Sequence, residues 1–212
     1  MKIGITGGIG SGKSYVCNIL KQRGIPVYNC DDEAKRLMTE SPVIRKKLCE
    51  LLGTHIYINN VLNKPAIASF LFASKENGKK INAIVHPVVK DDFTYWAEQH
   101  SSSPIVVQEC AILFESGFDS TVDKTIEVYA PKDIRITRAM KRDNALQEQI
   151  EARMAQQMPE EEKKLHADFC IVNDGVQDVT TQIDAILMEV NGNDNDNGND
   201  NDNDNGNDNG NE

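Results

Sequence analysis

Long apolar runs are missing from this 212-residue chain. None approaches the roughly 20 residues that a membrane-spanning helix needs. Paired cysteines are missing as well. The five cysteines include no Cys-x-x-Cys, and the four histidines fall at no metal-ligand spacing, so neither a disulfide framework nor a zinc site is expected. Cys17, Cys30, Cys49, Cys110 and Cys170 read instead as reduced thiols, most of them inside apolar runs. The opening residues already read as a strand, so no signal peptide is expected, and the expected compartment is the cytoplasm.

Basic excess is the next absence. The formal charge is −10, but residues 191–212 contribute −7 of it and leave −3 for the rest. A nearly neutral body gives no electrostatic case for a nucleic-acid partner. Hydrophobic content of 39% and charged content of 26% fit a soluble globular domain, and anionic small molecules would have to be held by local clusters of Lys and Arg. The stretch 191–212 has no apolar residue and is expected to be disordered. Residues 201–212 nearly match an EF-hand loop. However, Asn201 stands where the first ligand should be Asp and no helix follows, so no calcium role is read there.

Glycine is concentrated at the start. "KIGITGGIGSGKSYVCNIL" runs from a buried strand into a helix through Gly7, Gly8, Gly10 and Gly12. From Gly7 onward this is G-x-x-x-x-G-K-S, the phosphate-cradling pattern, at the strand-to-helix position it requires. Bare backbone lets successive amides turn inward, and the helix start adds its positive dipole end. Lys13 is placed to reach β- and γ-phosphates, and the Ser14 hydroxyl to bind Mg²⁺. A nucleotide, held with Mg²⁺, is therefore the expected ligand.

Strands are expected at "KIGIT", "IPVYNC", "IVVQE", "KTIEVYA" and "ADFCIVN", alternating with helices. The fold class is α/β, a five-stranded parallel sheet covered on both faces. Residues 54–65 read as irregular. From Ala66 to about His100 the pattern is helical, with Pro87 a kink or break. The helical region between the second and third strands exceeds a simple crossover and is expected to form a substrate subdomain.

A phosphate loop alone leaves GTPases, ATPase motors and small kinases open. No T-K-x-D guanine signature follows the fourth strand, and about 190 ordered residues leave no room for a motor domain. A compact kinase remains, and two clusters favour it. Asp31 lies just past the second strand, where a carboxylate could accept the proton of an attacking hydroxyl; the plainer reading makes Asp31 or Asp32 a helix cap. Arg135, Arg138 and Arg142 share a helix face by their three-and-four spacing, and Arg153 follows on the next polar helix. They could neutralise charge in phosphoryl transfer, or simply form a solvated face.

The chain resembles the dephospho-coenzyme A kinases over about residues 1–190. The resemblance rests on "GITGGIGSGKS", "CDDEAKRL", "IVHPVV", "AILFESG", "TRAMKRDN" and "EQIEARMAQQMP" followed by "EEKKLHADFCIVNDG". It implies transfer of the ATP γ-phosphoryl group to the ribose 3′-hydroxyl of dephospho-CoA, with a helical substrate-binding insertion at about 41–100 and a lid at about 135–168. By this match Gly10, Ser11, Gly12, Lys13, Ser14 and Tyr15 form the ATP loop. Asp31 inherits the base role, Arg138 and Arg142 are lid arginines, and Asn173, Asp174 and Gly175 lie beside the adenine. His86-Pro87 matches a motif of the substrate subdomain.

Three positions depart from the family pattern. Asn29 replaces the first Asp of D-A-D. Tyr15 replaces a Ser or Thr. Glu109 stands where a D-x-P begins, still able to face Mg²⁺. No nucleic acid or membrane partner is implied. The alternatives are another nucleotide or small-metabolite kinase or, from a different class, a nucleotide-dependent switch.

Overall fold

The computed structural model describes residues 1–196. The tail and calcium-loop expectations from residue 197 onward lie outside the described residues.

Five strands form one parallel sheet: β1 (Lys2–Thr6), β2 (Val27–Asn29), β5 (Val106–Glu109), β6 (Lys124–Tyr129) and β7 (Phe169–Val172), in the order β2-β5-β1-β6-β7. The register sets Ile5 beside Glu109, Asn29 beside Glu109 and Thr6 beside Glu127. The carboxyl ends of β2, β5, β1 and β6 therefore line one rim, with β1 central. That rim is where a parallel α/β sheet opens its binding crevice.

The strands are near-continuous apolar runs because helices cover the sheet. Ile3, Ile5, Val107, Ile126, Val128 and Ile171 pack with α1 (Lys13–Gln22) and α9 (Val179–Asp196) into one core. A second core joins Tyr28 to α2 (Cys30–Glu40), α3 (Pro42–Leu52), α4 (Lys64–Ala73) and α5 (Lys75–Gln99). A third, small cluster of Ile136, Ala139 and Ile150 ties α6 (Lys132–Asp143) to α7 (Gln147–Met154), with Ile9 of the glycine loop against it. Last in this region is α8 (Glu160–His166).

Several boundaries differ from expectation. Pro87 lies inside α5 without ending it. Ile81, Val85, Val89 and Phe93 are buried at four-residue spacing on both sides of it, so core packing outweighs the roughly 3 kcal/mol that an interior proline costs. Residues 54–65 are not irregular. A 3₁₀ turn at Thr54–Ile56 leads into the hairpin of β3 (Tyr57–Ile58) and β4 (Val61–Leu62), turned by Asn59 and Asn60 at positive φ. Neither Asp31 nor Asp32 caps α2. Its cap is Asn29, whose side chain accepts from the Asp32 amide (3.0 Å), and the helix begins at Cys30. The last helix packs as far as Val190 and continues to Asp196, taking in six residues that the composition assigns to the tail.

Candidate active site

The glycine loop between β1 and α1 is pressed from outside by α6 and α8. A Cβ on Gly8 would collide with the Arg135 guanidinium and the Glu160 carboxylate, and one on Gly10 would meet the Arg135 backbone. Gly12, the residue before α1, sits at φ 100°, in the left-handed region where a side chain strains the backbone. The bare backbone therefore serves packing as well as any ligand.

Lys13, half-buried, folds its ammonium onto the Gly7 carbonyl at 2.5 Å. Burial pulls it below the usual lysine range, while Glu109, Glu127 and Glu160 oppose that shift. The Ser14 hydroxyl donates to Glu109 Oε1 at 3.0 Å. The other Glu109 oxygen accepts from the Asn29 amide, also at 3.0 Å. Asn29 thus does two things at once: it caps α2 and it holds Glu109. An Asp there would set two carboxylates against each other.

Asp31 stands exposed in the first turn of α2, two residues past Asn29. Lys35 binds the neighbouring Asp32 (2.8 Å). Among the described residues no hydrogen bond or ion pair engages the Asp31 carboxylate. It lies at the β2 end of the rim, two residues past the Asn29 that bonds Glu109, and is open to solvent.

On the other side of the loop, Asn173 is buried and donates from its amide to the Ser11 carbonyl at 2.8 Å. The Asn173 carbonyl accepts from Arg138 at 2.9 Å. Asp174 accepts from the amides of Val176 and Gln177 at 2.8 and 2.9 Å, which hold its carboxyl below the usual range. Gly175 follows at φ 85°. Gly12, Tyr15, Arg138, Asn173, Gly175 and Gln177 line a cleft of about 460 Å³. Tyr15, 55% exposed, turns its ring toward solvent at this cleft instead of filling the core.

The arginines divide. Arg135 is 8% exposed and pairs with Glu160 at 3.2 Å. Arg138 joins the Asn173 loop. Arg142 and Arg153 are not brought to the glycine loop; both bind Asp143. His86 meets Phe118 edge-on, ring centroids 5.4 Å apart. It lines a second cleft of about 810 Å³ with Lys79, Asn82, Lys90, Glu115 and Gln156.

Sequence reasoning passed over three residues behind the loop: Glu127, Glu160 and Lys163. Lys163 is fully buried, donating to the Ala111 carbonyl at 2.8 Å and pairing with Glu115 at 3.2 Å. In "EEEKKLH" it reads as one more solvated charge. Glu127 carried a signal: a carboxylate within a strand covered on both faces must be matched or neutral. Burial, with Glu160 beside it, pushes its carboxyl up to about 9.

Comparison with known proteins follows the same lines. The family model described as dephospho-CoA kinase matches residues 1–178. The chain is similar to the dephospho-CoA kinase of Bacteroides fragilis, 47% identical over 183 residues, covering 86% of this chain and 89% of that one. Among solved structures, a Thermus thermophilus protein superposes with a TM-score of 0.75 at 33% identity, over 90% of this chain and 97% of its own. A dephospho-CoA kinase from Campylobacter jejuni shares the fold, with a TM-score of 0.66 at 24% identity over 91% of this chain and 100% of its own.

Proposed function

The chain belongs to the dephospho-CoA kinase family, and from that premise we propose how its residues carry the γ-phosphoryl group of ATP to the ribose 3′-hydroxyl of dephospho-CoA. The products are coenzyme A and ADP. The fold is that of a P-loop kinase, and the chemistry asks chiefly for positioning and charge neutralisation.

Gly10, Ser11, Gly12, Ser14 and Tyr15 hold the triphosphate by backbone amides at the start of α1. Lys13 leaves the Gly7 carbonyl for the β- and γ-phosphates. The adenosine end occupies the cleft between Tyr15 and the Asn173-Asp174-Gly175 loop. Arg138, held at that loop, faces the phosphates from the lid formed by α6 to α8, and Arg142 reaches them only if it leaves Asp143. The acceptor enters along the cleft of Lys79, His86 and Lys90, between α5 and the lid. Asp31 takes the proton of the 3′-hydroxyl as its oxygen bonds to the γ-phosphorus and the bond to the β,γ-bridging oxygen breaks.

The site fits Mg²⁺. Ser14 Oγ and Glu109 Oε1 lie 3.0 Å apart at the loop exit, two hard oxygen donors of the kind that share such an ion with phosphates and water. Bound there, the ion would neutralise β- and γ-phosphate charge. A reducing cytoplasm suits the chain's five free thiols.

The observation that carries this reading is Asp31: an exposed carboxylate with no partner among the described residues, at the β2 end of the rim, two residues past the Asn29 that bonds Glu109. The test is ADP release with dephospho-CoA, AMP or adenosine as acceptor. Release that depends on dephospho-CoA is expected; faster release with AMP or adenosine would overturn the assignment.

A further inference from the structure

Three buried carboxylate oxygens behind the phosphate loop lack partners among the described residues: both of Glu127 and Oε2 of Glu160. Ionised carboxylates only accept hydrogen bonds, so two of them cannot satisfy each other. Glu160 nevertheless stands beside Glu127, on the helix α8 that packs against β6, and its charge adds to burial in raising the Glu127 carboxyl. The nearby cations are committed elsewhere. Lys163 is bound to Ala111 and Glu115 and Lys13 to Gly7. Arg135 gives Nη1 to Glu160 Oε1, and its buried Nε, without a partner among the described residues, reaches neither Glu160 Oε2 nor Glu127.

The charges around the loop point the same way. Lys13, Arg135 and Lys163 balance Glu109, Glu115 and Glu160, which leaves Glu127 without a counter-charge. A buried carboxylate in that position is costly, and the neutral acid is the available form. One proton on Glu127 gives Glu160 Oε2 the donor it lacks and removes the surplus charge together.

We propose that Glu127 is a positioning residue which, as a carboxylic acid, donates to Glu160 Oε2 and through the Glu160–Arg135 pair holds α6 and α8 against Gly8 of the phosphate loop. The chain runs from the sheet (Glu127) through the lid (Glu160, Arg135) to the loop, where Gly8 has no room for a Cβ. The groups facing Glu127 are Lys13 from α1, Glu160 and Lys163 from α8, and its register partner Cys170 from β7. Loss of the proton would put an unmatched negative charge behind a loop that binds an anion. The consequence for ATP rests on the kinase reading; the protonation itself does not.

Two measurements test it. The first is melting temperature against pH for the parent and Glu127→Gln, whose amide keeps a donor and cannot ionise. The folded-state value near 9 lies above the ordinary 4.5, so the folded parent holds a proton that the unfolded chain has released. Its stability should fall relative to Glu127→Gln between about pH 5 and pH 9. Parallel curves would overturn the proposal.

The second is kcat and KM for ATP against pH. Glu127→Gln should keep KM within about twofold of the parent at pH 7 and lose an alkaline rise in KM that the parent shows near pH 9. Glu127→Ala, with no donor, should raise KM about tenfold while kcat changes less. A Gln variant as impaired as Ala, or one keeping the parent's alkaline rise, would refute the role. A parent inactive on dephospho-CoA would count against the kinase reading alone, because the melting curves still decide the protonation.

Discussion

The phosphate loop has two flanks built on opposite plans. On the acceptor flank, Ser14 and Asp31 are exposed, and Asp31 has no partner among the described residues. On the lid flank, Arg135, Glu160, Glu127 and Lys163 are sunk into the protein, and all but Glu127 are ion-paired. The contrast separates two uses of charge at one site. Groups that must meet a substrate are left in water, where an idle charge costs little. Groups that set the height of the loop are buried, where each needs its partner. Variants on the open flank should therefore cost turnover and spare stability, and variants on the sunken flank should cost stability, with any effect on catalysis falling on KM for ATP more than on kcat.

Lys13 sits between the flanks and tests the boundary with the largest effect. Lys13→Ala should lower turnover by about 10³-fold, roughly 4 kcal/mol of transition-state stabilisation. Its melting temperature should fall only slightly: the ammonium bonds loop carbonyls alone, but the charge it sets against Glu109 is lost with it. Steady-state assay and thermal melt together decide it; retained activity would undo the phosphate-loop assignment. Next is Arg135→Ala, which strands Glu160 as a buried unpaired charge. A loss of about 3 kcal/mol in stability is expected by denaturant unfolding, and an unchanged midpoint would erase the distinction between the flanks.

Asp31→Asn should do the opposite of Arg135→Ala. Asn29, not Asp31, caps the helix, so folding is spared while the proton acceptor is lost. General-base help is worth about 10²–10⁴ in rate, and a loss near 10² is expected because positioning dominates this chemistry. Single-turnover rates at saturating ATP and dephospho-CoA are the measure. An unchanged chemical step with weaker binding would reassign Asp31 to holding the ribose. Arg138→Ala should cost about tenfold in kcat/KM for ATP, the value of one charge-assisted contact, and loosen the Asn173 loop that it now holds by the carbonyl.

Much of this was legible in the residues. Glycine spacing, Lys13 and Ser14 are local chemistry, so the loop could be read outright. Pro131 and Asn144 mark off "KDIRITRAMKRD" in the sequence, and α6 fills just that span. What opposes each charge was not legible. Helical spacing put Arg135, Arg138 and Arg142 on one face, but Glu160, the Asn173 carbonyl and Asp143 decide what each arginine does, and those partners come from distant elements or the helix end. The β3–β4 hairpin escaped because two-residue strands have no periodicity to detect. Asn29 looked like a weakened catalytic position; only the fold shows it bridging α2 and Glu109.

Arg142 is the finest test of the comparison, because it belongs to the lid by sequence and to the solvent by structure. Its guanidinium binds Asp143 through two nitrogens, at 2.6 and 3.0 Å, and Arg153 binds the same carboxylate. The two arginines together hold the Asp143 carboxyl far below its ordinary range. Exposed pairs of this kind contribute little to stability and are screened by salt. Arg142→Ala should therefore lower kcat/KM for ATP by less than about threefold and leave the melting temperature nearly unchanged, because Asp143 keeps Arg153. The comparison to make is with Arg138→Ala under the same salt. If the two variants fall equally, Arg142 leaves Asp143 for the phosphates when ATP binds, and the lid reaches further over the loop than its resting ion pairs indicate.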